Sequence, residues 1–126
     1  MRQQDDIAIY MKLIERLQRH GEVLTEHVAT VGKEVLPECD VYTRDFGWLR
    51  SADAVVAEVT TPSLGVGYEI GTAQSWGVPV LCLFRHGARR KLSAMLAGNP
   101  DVRIAEYAAL DEALTAIDEF VVSVKA

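Results

Sequence analysis

Two carboxylates stand where amphipathic helices would carry apolar side chains. In the helix expected over residues 65–76, at about 100° per residue from Val66, Ile70 falls at about 40°, Ala73 at about −20° and Trp76 at about −80°. Glu69 falls at about −60°, inside that apolar arc. In the helical pattern over residues 41–50, counted from Val41, Trp48 lies at about −20° and Leu49 at about 80°, with Asp45 between them at about 40°. An acid turned toward apolar surroundings is costly unless something satisfies it. Paired carboxylates are what glycosidic-bond cleavage uses, one as nucleophile and one assisting proton transfer. The same pattern also fits a helix cap or a salt-bridge partner, and the residues alone leave both readings open.

The loop ahead of Glu69 adds to the chemical reading. Residues 54–59 form a short apolar run typical of a strand buried on both faces. Residues 60–65 then have turn composition. In open α/β sheets, ligands bind beyond the carboxyl ends of the strands. Gly65 and Gly67 flank Val66, which lets backbone approach a ligand, and the following helix N-terminus favours an anion. Ser63 offers a hydroxyl at the same mouth. A lone Gly-x-Gly is a weak signal, equally suited to shaping a turn, and it is neither a dinucleotide fingerprint nor a P-loop.

These residues need a frame, and the periodicities supply one. Ile7, Tyr10, Met11, Ile14 and Leu17 recur at helical spacing, with Gly21 as a stop signal. Residues 22–28 read as a strand, 41–50 as a helix, 54–59 as a strand and 65–76 as a helix ended by Gly77. Residues 79–84 read as another buried strand, followed by a basic loop and a short helix over 92–97. Residues 102–107 give a last strand and 110–124 a final amphipathic helix. Strands alternating with helices point to an α/β fold with a mostly parallel sheet covered on both faces. Four strands are visible, and the chain opens on a helix.

With 126 residues, there is room for one domain and not two. The net charge of −5 argues against a general nucleic-acid binder, although one phosphate can be held by local N–H groups and hydroxyls. No apolar run reaches the roughly 20 residues that cross a bilayer, and residues 1–6 are polar. The expectation is a cytoplasmic protein without contact with membranes. Cys39 and Cys82 lie far apart without metal-ligand spacing, and Cys82 sits in an apolar run as a small buried hydrophobe. No metal site is expected. Trp48 and Trp76 are assigned to core packing, Tyr68 to the outer helix face, and His20 and His86 to the surface. Arg85, Arg89 and Arg90 offer phosphate attraction or plain solvated charge.

The string VVAEVTTPSLGVGYEIG over residues 55–71 resembles the signature of the 2′-deoxynucleoside 5′-phosphate N-hydrolases, the Rcl family. VLTEHVA from residue 23, Asp45 with Trp48-Leu49, LCLFR from residue 81 and LSAM from residue 92 are similar to the same family in the same order. The nucleoside 2-deoxyribosyltransferases form the parent superfamily. The resemblance implies a single domain over residues 1–126, a flavodoxin-like or Rossmann-like three-layer sandwich. It further implies hydrolysis of a deoxynucleoside 5′-monophosphate to free base and 2-deoxyribose 5-phosphate, without metal or organic cofactor. Glu69 is then the nucleophile that holds the sugar as a covalent ester, and Asp45 the second acid. Ser63 and Ser93 are then hydroxyls for the 5′-phosphate, with Ser93 reaching the site of the neighbouring subunit in a homodimer. Met95 lies near the nucleotide by the same resemblance, and His27 falls in a matching segment. The transferase relatives typically carry an aspartate at the position of Ser63. A carboxylate there repels phosphate whereas a serine donates to it.

Family members also begin with a strand ending in a Gly-Ser-Ile-Arg-Gly-Gly-like loop, and residues 1–6 correspond to the segment just after that loop. The expectation is a sheet and a site that lack this element. Two rival readings stand beside hydrolysis: transfer of deoxyribose between bases, and nucleotide binding without catalysis.

Overall fold

The computed structural model describes residues 2–24 and 36–126. The chain divides into two compact units, Met1–Trp48 and Leu49–Ala126. In the first unit, helix α1 spans Arg2–Gln18. Leu13 is its buried side chain, whereas Ile7 and Met11 remain 39% and 49% exposed. The covered stripe is therefore Tyr10, Leu13, Ile14 and Leu17, which is rotated away from the expected one so that Leu13 takes the place of Met11. Helix α2, Glu38–Ser51, carries Glu38 and Asp40 in its first turn and Arg50 in its last, charges that suit the two ends of the helix dipole. The unit boundary falls within it.

The second unit holds strand β1, Val55–Glu58, and helix α3, Leu64–Ser75. These are followed by strand β2, Val80–Arg85, and the one-turn helix α4, Ala94–Ala97. Strand β3, Arg103–Tyr107, and helix α5, Leu110–Lys125, complete it. The strands form a parallel sheet in the order β1-β2-β3. Val55 pairs with Val80, and Leu81 with Arg103. Three of the four expected strands are thus present among the described residues. The remaining one, over residues 22–28, falls mostly on residues outside them, and His27 lies outside them as well.

Side chains alternate across a strand, and the two faces of the sheet have different coverings. Val80, Cys82, Ile70, Ala73, Leu49 and Val102 form a buried cluster, with Val55, Ala57, Val59 and Ile104 against it. That is the α3 side. The intervening residues point the other way, where Arg103 lies over the Phe120 ring of α5 at 5.5 Å. Ala113, Ile117 and Phe120 form the buried stripe of α5. Leu81, Leu83 and Ile117 are fully buried, each such side chain contributing about 1.5–3 kcal/mol of hydrophobic stabilisation. The α5 helix begins with Glu112 reaching back to the N–H groups of Ala108 at 2.7 Å and Ala109 at 2.9 Å. Those two bonds hold its carboxyl below the usual range. The second unit is thus a parallel sheet with a helix layer on each face.

Candidate active site

The carboxyl end of β1 feeds the loop that leads into α3. Ser63 caps this helix: its backbone is extended, at φ −143° and ψ 120°, and its Oγ accepts from Val66 N at 3.2 Å. The first intrahelical bond runs from Gly67 N to Ser63 O at 3.0 Å. The N–H groups of Leu64 and Gly65 precede it and belong to the orphan donors of a helix start, where the dipole favours an anion. Capping uses an acceptor position of the Ser63 hydroxyl, so its proton can still be donated outward. Ser63 is exposed, as are Gly65 and Gly67. A Cβ on either glycine meets no atom within 4 Å among the described residues, so packing inside the fold does not demand glycine there.

Glu69 stands one and a half turns further along the same helix and is half-buried. Its neighbours Ile70 and Ala73 are 2% and 0% exposed, whereas Tyr68 on the outer face is 61% exposed. The glutamate therefore sits at the edge of the apolar arc rather than within it. No charged residue is fully buried among those described.

Asp45, in the first unit, is half-buried and engaged by its neighbour. Arg44 Nε donates to its Oδ1 at 3.0 Å, and Arg44 Nη2 lies 2.9 Å from the same oxygen. The guanidinium of Arg44 also covers the Trp48 ring at 4.6 Å. The ion-pair alternative for this aspartate is thus realised. Ser93 caps α4, accepting from Met95 N at 3.2 Å, and Met95 is 81% exposed. The structure gathers Ser63, Gly65, Gly67 and Glu69 on one loop and helix, with Ser93 and Met95 on a separate turn of the same unit.

The expectation that Trp48 and Trp76 pack in the core needs correction. Trp76 is 37% exposed, with the Arg50 guanidinium 4.8 Å above its ring, and Trp48 is half-buried beneath Arg44. Both rings lie under cations at the edge of the fold instead of in the core, a placement that suits a large aromatic face. Arg85, for which the sequence left phosphate attraction or solvated charge open, is half-buried and lies beside the Tyr107 hydroxyl.

Arg85 belongs to a polar cluster that sequence reasoning missed. Glu58 Oε1 accepts from Thr60 N at 2.8 Å, and Glu58 Oε2 accepts from Thr60 Oγ1 at 2.7 Å and Tyr107 Oη at 2.5 Å. Burial, reinforced by the hydrogen bond to Glu58 and opposed by Arg85, pushes the Tyr107 hydroxyl up to about 12. The available signal was a glutamate inside an apolar strand run, which requires donors nearby. Elsewhere, His86 Nδ1 meets Glu106 at 3.2 Å on the surface, and Cys82 is buried, its thiol pushed up to about 11 by desolvation. Among the described residues, no group of three or more His, Cys, Asp or Glu could hold a metal ion. No described helix is long and apolar enough to cross a membrane.

The capped start of α3 and the adjoining glutamate stand beyond the carboxyl end of β1, the place where open parallel α/β sheets bind their ligands. The model of the nucleoside 2-deoxyribosyltransferase family matches residues 2–107. The chain belongs to that family. It is 52% identical over 103 residues to the 5-hydroxymethyl-dUMP N-hydrolase of Mus musculus, covering 77% of this chain and 60% of that protein. The Rattus norvegicus protein of the same name is 50% identical over 103 residues, covering 77% of this chain and 63% of its own length. The Danio rerio protein of that name is 39% identical over 123 residues, covering 91% and 85%. The chain therefore spans less than two thirds of the length of the two mammalian relatives.

Proposed function

We propose that the protein hydrolyses the N-glycosidic bond of 2′-deoxynucleoside 5′-monophosphates, releasing free base and 2-deoxyribose 5-phosphate in the cytoplasm. The observation that carries this reading is the Ser63-capped helix start with half-buried Glu69 on the same helix. The relatives named for N-hydrolysis of 5-hydroxymethyl-dUMP support it. A Glu69 carboxylate oxygen attacks the anomeric carbon as the C–N bond breaks, and the base leaves with the bonding electrons and gains a proton. Asp45 assists that departure. Water then cleaves the glycosyl ester and returns Glu69 to its starting state. Ser63 and the N–H groups of the α3 start hold the phosphate, with Gly65 and Gly67 leaving the backbone open to it. Ser93, supplied by the neighbouring subunit of a homodimer, and Met95 complete the pocket.

The family description favours one second reading, transfer of the deoxyribosyl group to another base. Incubation with dGMP and with 5-hydroxymethyl-dUMP, followed by chromatography of the base, tests both. Base release without glycosylation of an added acceptor base is expected, and so is its loss by about 10³-fold or more in Glu69→Gln, about 4 kcal/mol of barrier. A glycosylated acceptor would establish the transferase instead. Nucleotide binding that is unchanged in Glu69→Gln, with no base released by the unaltered protein, would leave a binding module.

A further inference from the structure

Glu58, Arg85 and Tyr107 end three adjacent parallel strands, and by alternation they share the sheet face opposite α3. Val59 N still bonds Leu83 O at 2.9 Å, so a continued parallel ladder would direct Arg85 N to the Val59 carbonyl. Instead, Arg85 N donates to Thr60 Oγ1 at 2.8 Å. Thr60 thereby replaces a rung of the sheet with its side chain at the point where the chain turns away. Its N–H and hydroxyl both donate to Glu58, which also receives the Tyr107 hydroxyl. Only Thr61 and Pro62 separate this anchor from Ser63, and the proline ring fixes one of the intervening dihedrals. The place of the Ser63 hydroxyl is then set from one side by Thr60 and from the other by the α3 axis.

We propose that Glu58, Thr60, Arg85 and Tyr107 form a positioning clasp that sets the Ser63 hydroxyl for the 5′-phosphate of the substrate. The inference rests on the N-hydrolase reading, and none of the four touches the reacting atoms. Thr60→Val removes the hydroxyl that joins Glu58 to Arg85 N while preserving the branched shape. It is expected to raise KM for dGMP about tenfold with kcat within about threefold, a loss of about 1.4 kcal/mol in phosphate-dependent binding. Use of deoxyguanosine, which has no phosphate, stays unchanged, and Thr60→Ser restores KM to within about twofold. A purely structural role would lower use of both substrates together. That outcome, or an unaltered KM in folded Thr60→Val, overturns the proposal. Should Thr60→Val fail to fold, Tyr107→Phe removes one donor to Glu58 and is read in the same way. If the unaltered protein releases no base, the hydrolase reading fails, and the clasp is read by calorimetric binding of dGMP. Binding about tenfold weaker in Thr60→Val upholds it; equal binding, or none to the unaltered protein, overturns it.

Discussion

Ser63 has two duties that substitution can separate. As the cap of α3, its Oγ accepts from Val66 N at 3.2 Å; as a phosphate ligand, it donates its proton. Alanine abolishes both, whereas aspartate keeps the acceptor, being as good a cap as serine, but has no proton to give and adds a negative charge. Loss of the cap costs about 1 kcal/mol. For a chain of 126 residues, that lowers the melting temperature by about 4 °C, from an unfolding entropy of roughly 2 cal/mol/K per residue. Ser63→Asp should melt within about 1 °C of the unaltered protein, because the cap remains. For the nucleotide, loss of a hydrogen bond to a charged group costs about 1.5–3 kcal/mol in Ser63→Ala. In Ser63→Asp, repulsion at roughly 5 Å in an exposed site adds about 1–3 kcal/mol for each unit of phosphate charge. The expected orders are opposed: stability runs serine and aspartate above alanine, while nucleotide use runs serine above alanine above aspartate. Calorimetric melting and kcat/KM for dGMP against deoxyguanosine read the two separately. A Ser63→Asp protein that keeps its preference for the nucleotide within about threefold would refute the assignment of Ser63 to the phosphate.

Three further outcomes are expected on the same grounds. Asp45→Asn should lower kcat by about 10²-fold, as loss of acid–base assistance does, with stability changed by less than about 1 kcal/mol because the Arg44 pair is partly solvated; an unaltered kcat would remove Asp45 from the reaction. Leu81→Ala, at a fully buried position of the central strand, should destabilise by about 2–5 kcal/mol in urea titration, and a loss below about 1 kcal/mol would contradict the packing described. Tyr107 titrates higher in the folded protein than in the unfolded chain, at about 12 against 10, so its stabilisation is whole below pH 10 and lost as pH rises through about 12. The unfolding free energy of Tyr107→Phe should lack that decline while retaining the one that buried Cys82 produces between pH 9 and about 11.

Local pattern by itself determined the second unit's skeleton. The runs at residues 54–59, 79–84 and 102–107 became β1, β2 and β3 within a residue or two, because short, mostly apolar segments bounded by turn residues are best buried as strands. The turn ahead of α3 and the helical face of Glu69 were legible because helical faces are set by neighbours three or four residues away, whereas the Ser63 and Ser93 caps and the place of Glu69 at the edge of its apolar arc came only with the structure. The cluster of Glu58, Thr60, Arg85 and Tyr107 was decided only by tertiary structure. Its members lie up to 49 residues apart, and their meeting depends on strand register, which fixes which side chains share a face and an end of the sheet. The cations over Trp48 and Trp76, and the choice of Leu13 over Met11 on α1, were likewise invisible, since helical periodicity defines a stripe but packing chooses where on the stripe the cover falls.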